Sequence, residues 1–305
     1  MPNCQGEPQD LRAGVTNAFV NPDDIDIMDL GQDLHIGYEL ECNRSEDLTS
    51  SEPEDRCDIC YNYCEDSPFS LALAELPESL TCTFDGSAGR EFKTPILPRR
   101  EREQYLEDVC ETLKSQGYDG NQRCGAHIHI GLGGASATLK YRVYAMFVAY
   151  NQLMLHSIIP EMRNRSHVGD IEKIYKEAYG DEVEELIQFL TREEQPPASV
   201  RNFVQGKYGF ALRGNFNTIE IRYLEGSLDA QRLCHWADFT TGVVDWVRRS
   251  YDKKVLMEVF EHGKKLKQFC EKEKLSHARN RAQKMLEILN IEQTTKEYLL
   301  TNLKI

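Results

Sequence analysis

The chain has no basic excess, no long apolar run and no dense cysteine framework. Its 36 lysines and arginines are outnumbered by 50 aspartates and glutamates, for a net charge of −14. Nucleic-acid binding by counterion release needs a basic surface, so no nucleic-acid partner is expected. No apolar stretch approaches the ~20 residues that cross a bilayer, so no membrane partner is expected either. The opening MPNCQGEPQDLRAG lacks the charged-then-apolar pattern of an export signal, which points to a soluble, cytoplasmic protein. The ten cysteines are scattered through 305 residues rather than packed into a short secreted scaffold, and most are expected to be reduced thiols. What remains is an acidic chain, 40% hydrophobic, able to bury one large core and to tolerate a cleft filled by metal ions.

One stretch explains why acidity matters. In LHIGYELEC (34–42), Leu34, Ile36, Tyr38, Leu40 and Cys42 share one parity, and His35, Gly37, Glu39 and Glu41 the other. Successive side chains of a strand point to opposite faces, so a strand here sets Glu39 and Glu41 side by side. CGAHIHIG repeats the pattern with His127 and His129, and NTIEIRY with Thr218, Glu220 and Arg222. Any half-exposed antiparallel strand alternates, so each alone says little. Residue type says more, because these strands carry Glu, His and Arg and no Lys. Two adjacent carboxylates without a cation push one pKa up. A divalent ion such as Mg²⁺ or Mn²⁺ removes the conflict through hard oxygen ligands. A fourth stretch, DGSAGREFKTP (85–95), adds Glu91 and, two residues on, Lys93, a point charge suited to a phosphate.

Around these strands the sequence reads as a polar arm over 1–30, a catalytic domain over 31–250 with an acidic, cysteine-bearing insertion at about 43–82, and a helical extension over 251–305. Helical spacing is expected from Arg99 to Gln116, with Gly117 as the stop, and again over 138–159, ended by Pro160. Residues 170–194 read as a charged helical face, 207–223 as a hairpin, and 229 onward as several helices. Strands and helices without a regular βαβ rhythm favour α+β with an antiparallel sheet. No internal repeat is evident. The insertion holds Cys57, Cys60 and Cys64, a candidate structural Zn²⁺ site that Cys42 or Cys82 would complete. The plainer reading is a surface insertion with spare cysteines.

The motifs, taken in order, resemble those of the amidoligase family. They are Gly-Tyr-Glu-Leu-Glu, DGS with a Glu before Thr-Pro, Gly-Ala-His-Ile-His, and Thr-Ile-Glu-Ile-Arg followed by Glu-Gly-Ser-Leu-Asp. The family is a distant relative of glutamine synthetase and glutamate–cysteine ligase among the carboxylate–amine ligases, and the likeness runs from about Ile36 to about Phe239. It implies a curved antiparallel sheet around an ATP site with divalent ions. By motif, Glu39, Glu41, Glu91, His127 and Glu220 would be metal ligands, and His129 would lie nearer the nucleotide. Arg222 would hold a phosphate or the developing acyl phosphate, joined by Lys93 and Arg213 as nucleotide contacts. Arg222, Glu91 and Asp85 are the candidate catalytic groups, with Asp85 and Glu225 as candidate bases. The chain departs from the family pattern at Leu212-Arg213, where Leu-Asn is expected.

The activity implied is ATP-dependent joining of a carboxylate to an amine through an acyl phosphate. The partners would be ATP, a carboxylate substrate and an amine on an amino acid, peptide or protein side chain, and the chain would be free to form oligomers. Two other classes stay open. A metal-dependent hydrolase would use the H-x-H and carboxylates around a bound water, without ATP. A non-catalytic ligase-like protein would bind a partner and no nucleotide.

Overall fold

The computed structural model describes residues 34–44, 79–85, 89–120, 124–132, 139–144, 210–213, 218–250 and 271–302. Among them, seven strands form one sheet: β1 (Ile36–Arg44), β2 (Thr81–Asp85), β3 (Gly89–Lys93), β4 (Tyr118–Asp119), β5 (Gly125–Gly131), β6 (Phe210–Arg213) and β7 (Thr218–Glu225). The order across the sheet is β2-β3-β1-β5-β7-β6, with β4 beside the end of β1, and every pairing is antiparallel. Helices α1 (Arg99–Ser115), α2 (Ala230–Ser250), α3 (Glu271–Ile288) and α4 (Gln293–Asn302) complete an α+β chain, the class expected from its mixed signals.

The alternation in each strand decides which face is covered. Ile36, Tyr38, Leu40 and Cys42 of β1, Phe92 of β3, Ile128 and Ile130 of β5, and Ile219 and Ile221 of β7 are all buried in one hydrophobic cluster. Leu106, Val109, Cys110 and Leu113 of α1 join it, as do Trp236, Phe239, Val243 and Val247 of α2. Each large side chain so buried is worth about 1.5–3 kcal/mol, which makes this face the source of the fold's stability. The polar residues of the same strands are thereby committed to the opposite face.

Helix α1 stops where the sequence says it should. Gly117 takes φ +82°, its N–H donates to the Lys114 carbonyl at 2.9 Å, and the Gln116 N–H donates to Thr112 at 3.1 Å. That closing turn satisfies carbonyls the helix leaves open, in a backbone conformation that suits glycine. A second glycine is required by crowding. The Gly226 N–H donates to the Cys124 carbonyl at 2.8 Å, and a Cβ on Gly226 would come 2.2 Å from the Cβ of Cys124.

Behind the sheet, three helices share a polar contact. Arg102 of α1 donates to Asp238 of α2, and Arg99 Nε approaches the same carboxylate oxygen at 3.2 Å. Asp238 Oδ2 accepts from Thr295 of α4 at 3.4 Å, and Thr295 Oγ1 lies 2.9 Å from His235 Nδ1. These residues line a cavity of about 1330 Å³ that none of the acidic strand residues enters.

Two boundaries differ from the sequence reading. β1 continues through Asn43 and Arg44, and β2 begins at Thr81, so both ends of the segment read as an insertion are strand. Asp85 of DGS is the last residue of β2, which pairs antiparallel with β3 from Thr81↔Lys93 to Asp85↔Gly89. Of the helix expected over 138–159, residues 139–144 are described and helical. The arm at 1–30, residues 45–78 with Cys57, Cys60 and Cys64, and the charged region at 170–194 lie outside the described residues. No helix among the described residues is long and apolar enough to cross a membrane.

Candidate active site

β1 lies between β3 and β5, and its register sets the site. Glu39 stands opposite Lys93 on one side and His127 on the other, and Glu41 stands opposite Glu91. His129 faces Glu220 across β5 and β7, and Arg213 faces Thr218 across β6 and β7. The β5–β7 ladder shifts at His127: Ala126 pairs with Leu224 and Ile128 with Ile221, so two residues of β7, Arg222 and Tyr223, oppose one. Such a bulge twists the strand and re-aims side chains. It also turns Leu224 into the core, although it shares sequence parity with Glu220.

His127 is the hub of the cluster. Its Nδ1 lies 3.1 Å from Glu39 Oε2 and 3.6 Å from Glu220 Oε1, and its Nε2 lies 3.5 Å from Glu41 Oε1. His129 Nε2 is 3.4 Å from Glu39 Oε1 and 3.9 Å from Glu220 Oε1, and its Nδ1 meets Thr218 Oγ1 at 3.4 Å. Glu41 is anchored by the Gly125 N–H, which donates to Oε2 at 2.6 Å. Glu220 is held from two sides, by Arg213 Nε on one oxygen and Arg222 Nη1 on the other. Lys93 Nζ lies 2.9 Å from Glu91 and 3.6 Å from Glu39.

The electrostatics follow from burial set against these partners. Burial opposes ionisation of Glu39, yet the hydrogen bond with His127, the nearby His129 imidazole and the Lys93 charge hold it well below the usual carboxylate range. Glu220 is likewise buried, and the His129 and Arg222 charges with the Arg213 hydrogen bond hold it low. His127 goes the other way: burial outweighs its hydrogen bond to Glu39 and pushes its pKa down, helped by the Arg222 charge. Burial alone would lower the Lys93 pKa, but Glu39 and Glu91 more than offset it and keep the ammonium charged.

A neutral His127 carries one N–H and one lone pair. Carboxylate oxygens face both ring nitrogens, so in either tautomer a lone pair points at a carboxylate. A metal ion between them relieves that clash. Ligand atoms of Glu39, His127 and Glu220 lie within 4.8 Å of one another, as do those of Glu41, Glu91 and His127. Carboxylates with an imidazole fit Mg²⁺ or Mn²⁺, and the buried His129 Nε2, which has no hydrogen-bond partner, adds a further donor.

The remaining expected residues fall around this cluster. Asp85 ends β2 opposite Gly89. Glu225 ends β7 opposite Gly125, and its carboxylate accepts from Arg232 of α2. Cys82 pairs with Phe92 and packs against the apolar core, and burial raises its thiol pKa. It therefore sits among apolar side chains, on the face away from the carboxylates. Thr218 and the Gly125 N–H join the cluster without any signal in the sequence. A hydroxyl and a backbone amide carry no motif signal; only the register brings them to His129 and Glu41.

An antiparallel sheet that gathers four carboxylates, two imidazoles and three cationic side chains on one face defines a protein that manages dense charge of both signs. Residues 37–244 match the family model described as "Putative amidoligase enzyme", and the chain belongs to that family. A chain of the crystal structure of the complex between Prokaryotic Ubiquitin-like Protein Pup and its Ligase PafA is similar at 10% identity and a TM-score of 0.35. The similarity covers 90% of this chain and 62% of that one, so this chain spans less than two thirds of its length. No curated protein matches the chain.

Proposed function

We propose that the chain is an ATP-dependent carboxylate–amine ligase whose site is the acidic face of β1, β3, β5 and β7. The observation that carries this reading is His127 lying between two groups of carboxylates, with Arg213 and Arg222 beside them. Glu39, His127 and Glu220 would hold one Mg²⁺ or Mn²⁺, and Glu41 and Glu91 a second. When bound, such ions polarise phosphoryl oxygens and offset charge during transfer.

The chain's own groups do the rest. Arg222 offers a planar fork to equatorial phosphoryl oxygens, which a lysine cannot match. Arg213 and Arg222 both contact Glu220, and a cation held by Glu220 would free them for a polyphosphate. A substrate carboxylate oxygen attacks the γ-phosphorus, ADP leaves, and an acyl phosphate forms. An amine then attacks the acyl carbon, phosphate leaves, and the amine proton passes to a base. Asp85 and Glu225, at the ends of β2 and β7, are the candidate bases, and Glu225 would have to part from Arg232 to serve. The substrates would be a small or protein-borne carboxylate and an amine, within the cytoplasm.

Calorimetry of ATP binding with Mg²⁺ or Mn²⁺ tests this on the wild type, Glu41→Ala and Glu220→Ala. Metal-dependent affinity that both substitutions abolish is expected. No ATP affinity in the wild type with either metal defeats the reading, and hydrolytic turnover without ATP would replace it with a metal-dependent hydrolase.

A further inference from the structure

The cationic residues of the site do different jobs. Arg213 and Arg222 both converge on one carboxylate, that of Glu220. Lys93 instead spans two, and they belong to different ligand groups: Glu39 stands with His127 and Glu220, and Glu91 with Glu41 and His127. Cross-strand register fixes this. Lys93 faces Glu39 directly, and Glu91 sits two residues back on the same face of β3. The lysine is therefore placed where a cation bridging the two groups would sit. Glu41 and Glu91 are directly opposite like charges, an arrangement that is destabilising without a counter-charge.

A second feature points to a cation at the same place. The His129 side chain is 9% exposed, and its Nε2 aims at Glu39 Oε1 and Glu220 Oε1 without a hydrogen-bond partner. Glu39 Oε1 is also the Glu39 oxygen that Lys93 Nζ approaches, at 3.6 Å. An ammonium and a divalent ion both bind carboxylate oxygens, but the ammonium takes no imidazole lone pair. A lysine there supplies charge and leaves His129 unsatisfied, whereas a metal ion would satisfy both.

We propose that Lys93 is a built-in cation that takes the place of a divalent ion. Its ammonium bridges Glu39 and Glu91, lowers the site's affinity for metal at that position, and keeps the carboxylates together while metal is absent. The inference rests on the metal-binding part of the ligase reading, not on ATP or on any substrate. It assigns Lys93 to the carboxylates rather than to a phosphate.

The test is titration with Mn²⁺ alone, followed by electron paramagnetic resonance of free Mn²⁺ and by thermal unfolding. The proteins are the full-length wild type, Lys93→Gln, Lys93→Met and Lys93→Arg, all without nucleotide. Lys93→Gln and Lys93→Met are expected to bind the weakest Mn²⁺ at least tenfold more tightly than wild type. They should melt lower than wild type without metal and gain more from it, while Lys93→Arg keeps the weak wild-type binding. Either neutral variant can decide the matter if the other does not fold, and purification in Mn²⁺ protects both. Equal or weaker Mn²⁺ binding by the neutral variants overturns the proposal, and so does an absence of Mn²⁺ binding in all four proteins. Failure of ATP to bind a wild type that does bind Mn²⁺ would instead defeat the ligase reading and leave Lys93 in place.

Discussion

Asp238→Ala is expected to be the most damaging single change on the helix side of the sheet. Arg102 is 3% exposed, and its guanidinium meets Asp238 while its Nη1 already has no hydrogen-bond partner. Removing the carboxylate leaves a buried cation without its charged partner, a situation that costs about 3–5 kcal/mol. Arg99 contributes little to that figure, because it is largely exposed and keeps Glu292 at 2.8 Å. Thr295 loses an acceptor at 3.4 Å, a minor addition. Urea unfolding followed by tryptophan fluorescence suits the measurement, since the chain's two tryptophans, Trp236 and Trp246, both lie on α2 with Asp238. The double variant Arg102→Met, Asp238→Ala removes the charge together with its partner. It should recover to within about 2 kcal/mol of wild type, because apolar replacement of a buried pair is often near neutral. A loss below about 1 kcal/mol in Asp238→Ala, or a double variant no more stable than the single, would refute the reasoning.

Three further outcomes follow from the geometry. Gly226→Ala forces a Cβ to 2.2 Å from that of Cys124 and 3.0 Å from its carbonyl carbon, so it should destabilise by about 1–3 kcal/mol in the same urea assay; wild-type stability would show that the crowding relaxes freely. Gly117→Ala meets open space but a φ of +82°, so its cost should be about 1–2 kcal/mol from backbone strain alone, and Gly117→Asn should cost less. His235 is stacked on Tyr298 at 4.3 Å, and burial depresses its pKa below 6.5 despite the nearby Asp238, Glu103, Asp229 and Glu292. A depressed folded-state pKa means that the unfolded chain takes the proton first. Its contribution to stability is therefore full above 6.5 and is lost as pH falls through the folded value. An imidazole proton resonance titrating at or above 6.5 by NMR would contradict this.

How far the sequence reaches depends on what each strand can say about itself. Strict alternation in LHIGYELEC, CGAHIHIG and NTIEIRY told which residues share a face, because that property needs no partner strand. The antiparallel α+β class followed from element order, and the α1 stop from one glycine. Register is different, since it belongs to pairs of strands and leaves no mark in either one alone. Nothing in EFK announces that Lys93 lies opposite Glu39 rather than one pair further along. β2 was hidden for a related reason: TCTFD follows a long acidic stretch of sequence, and its pairing with β3 leaves no mark in either strand alone.

One mark of the bulge was nevertheless in the sequence. Ile219, Ile221 and Tyr223 keep one parity, and then Leu224 breaks it. A strand that must bury Leu224 and still present Glu220 has to absorb an extra residue, and Arg222-Tyr223 is where it does so. The same step carries Glu225 to its place opposite Gly125, whose N–H holds Glu41. The buried arginine of α1 had a signal too, because Arg102 stands one turn before Leu106 on the helix's core face. Its partner Asp238 is 136 residues away, a separation that no local pattern spans. Both cases follow one rule. A polar residue standing in an apolar register is the legible half of a long-range contact, and the other half is supplied only by the fold.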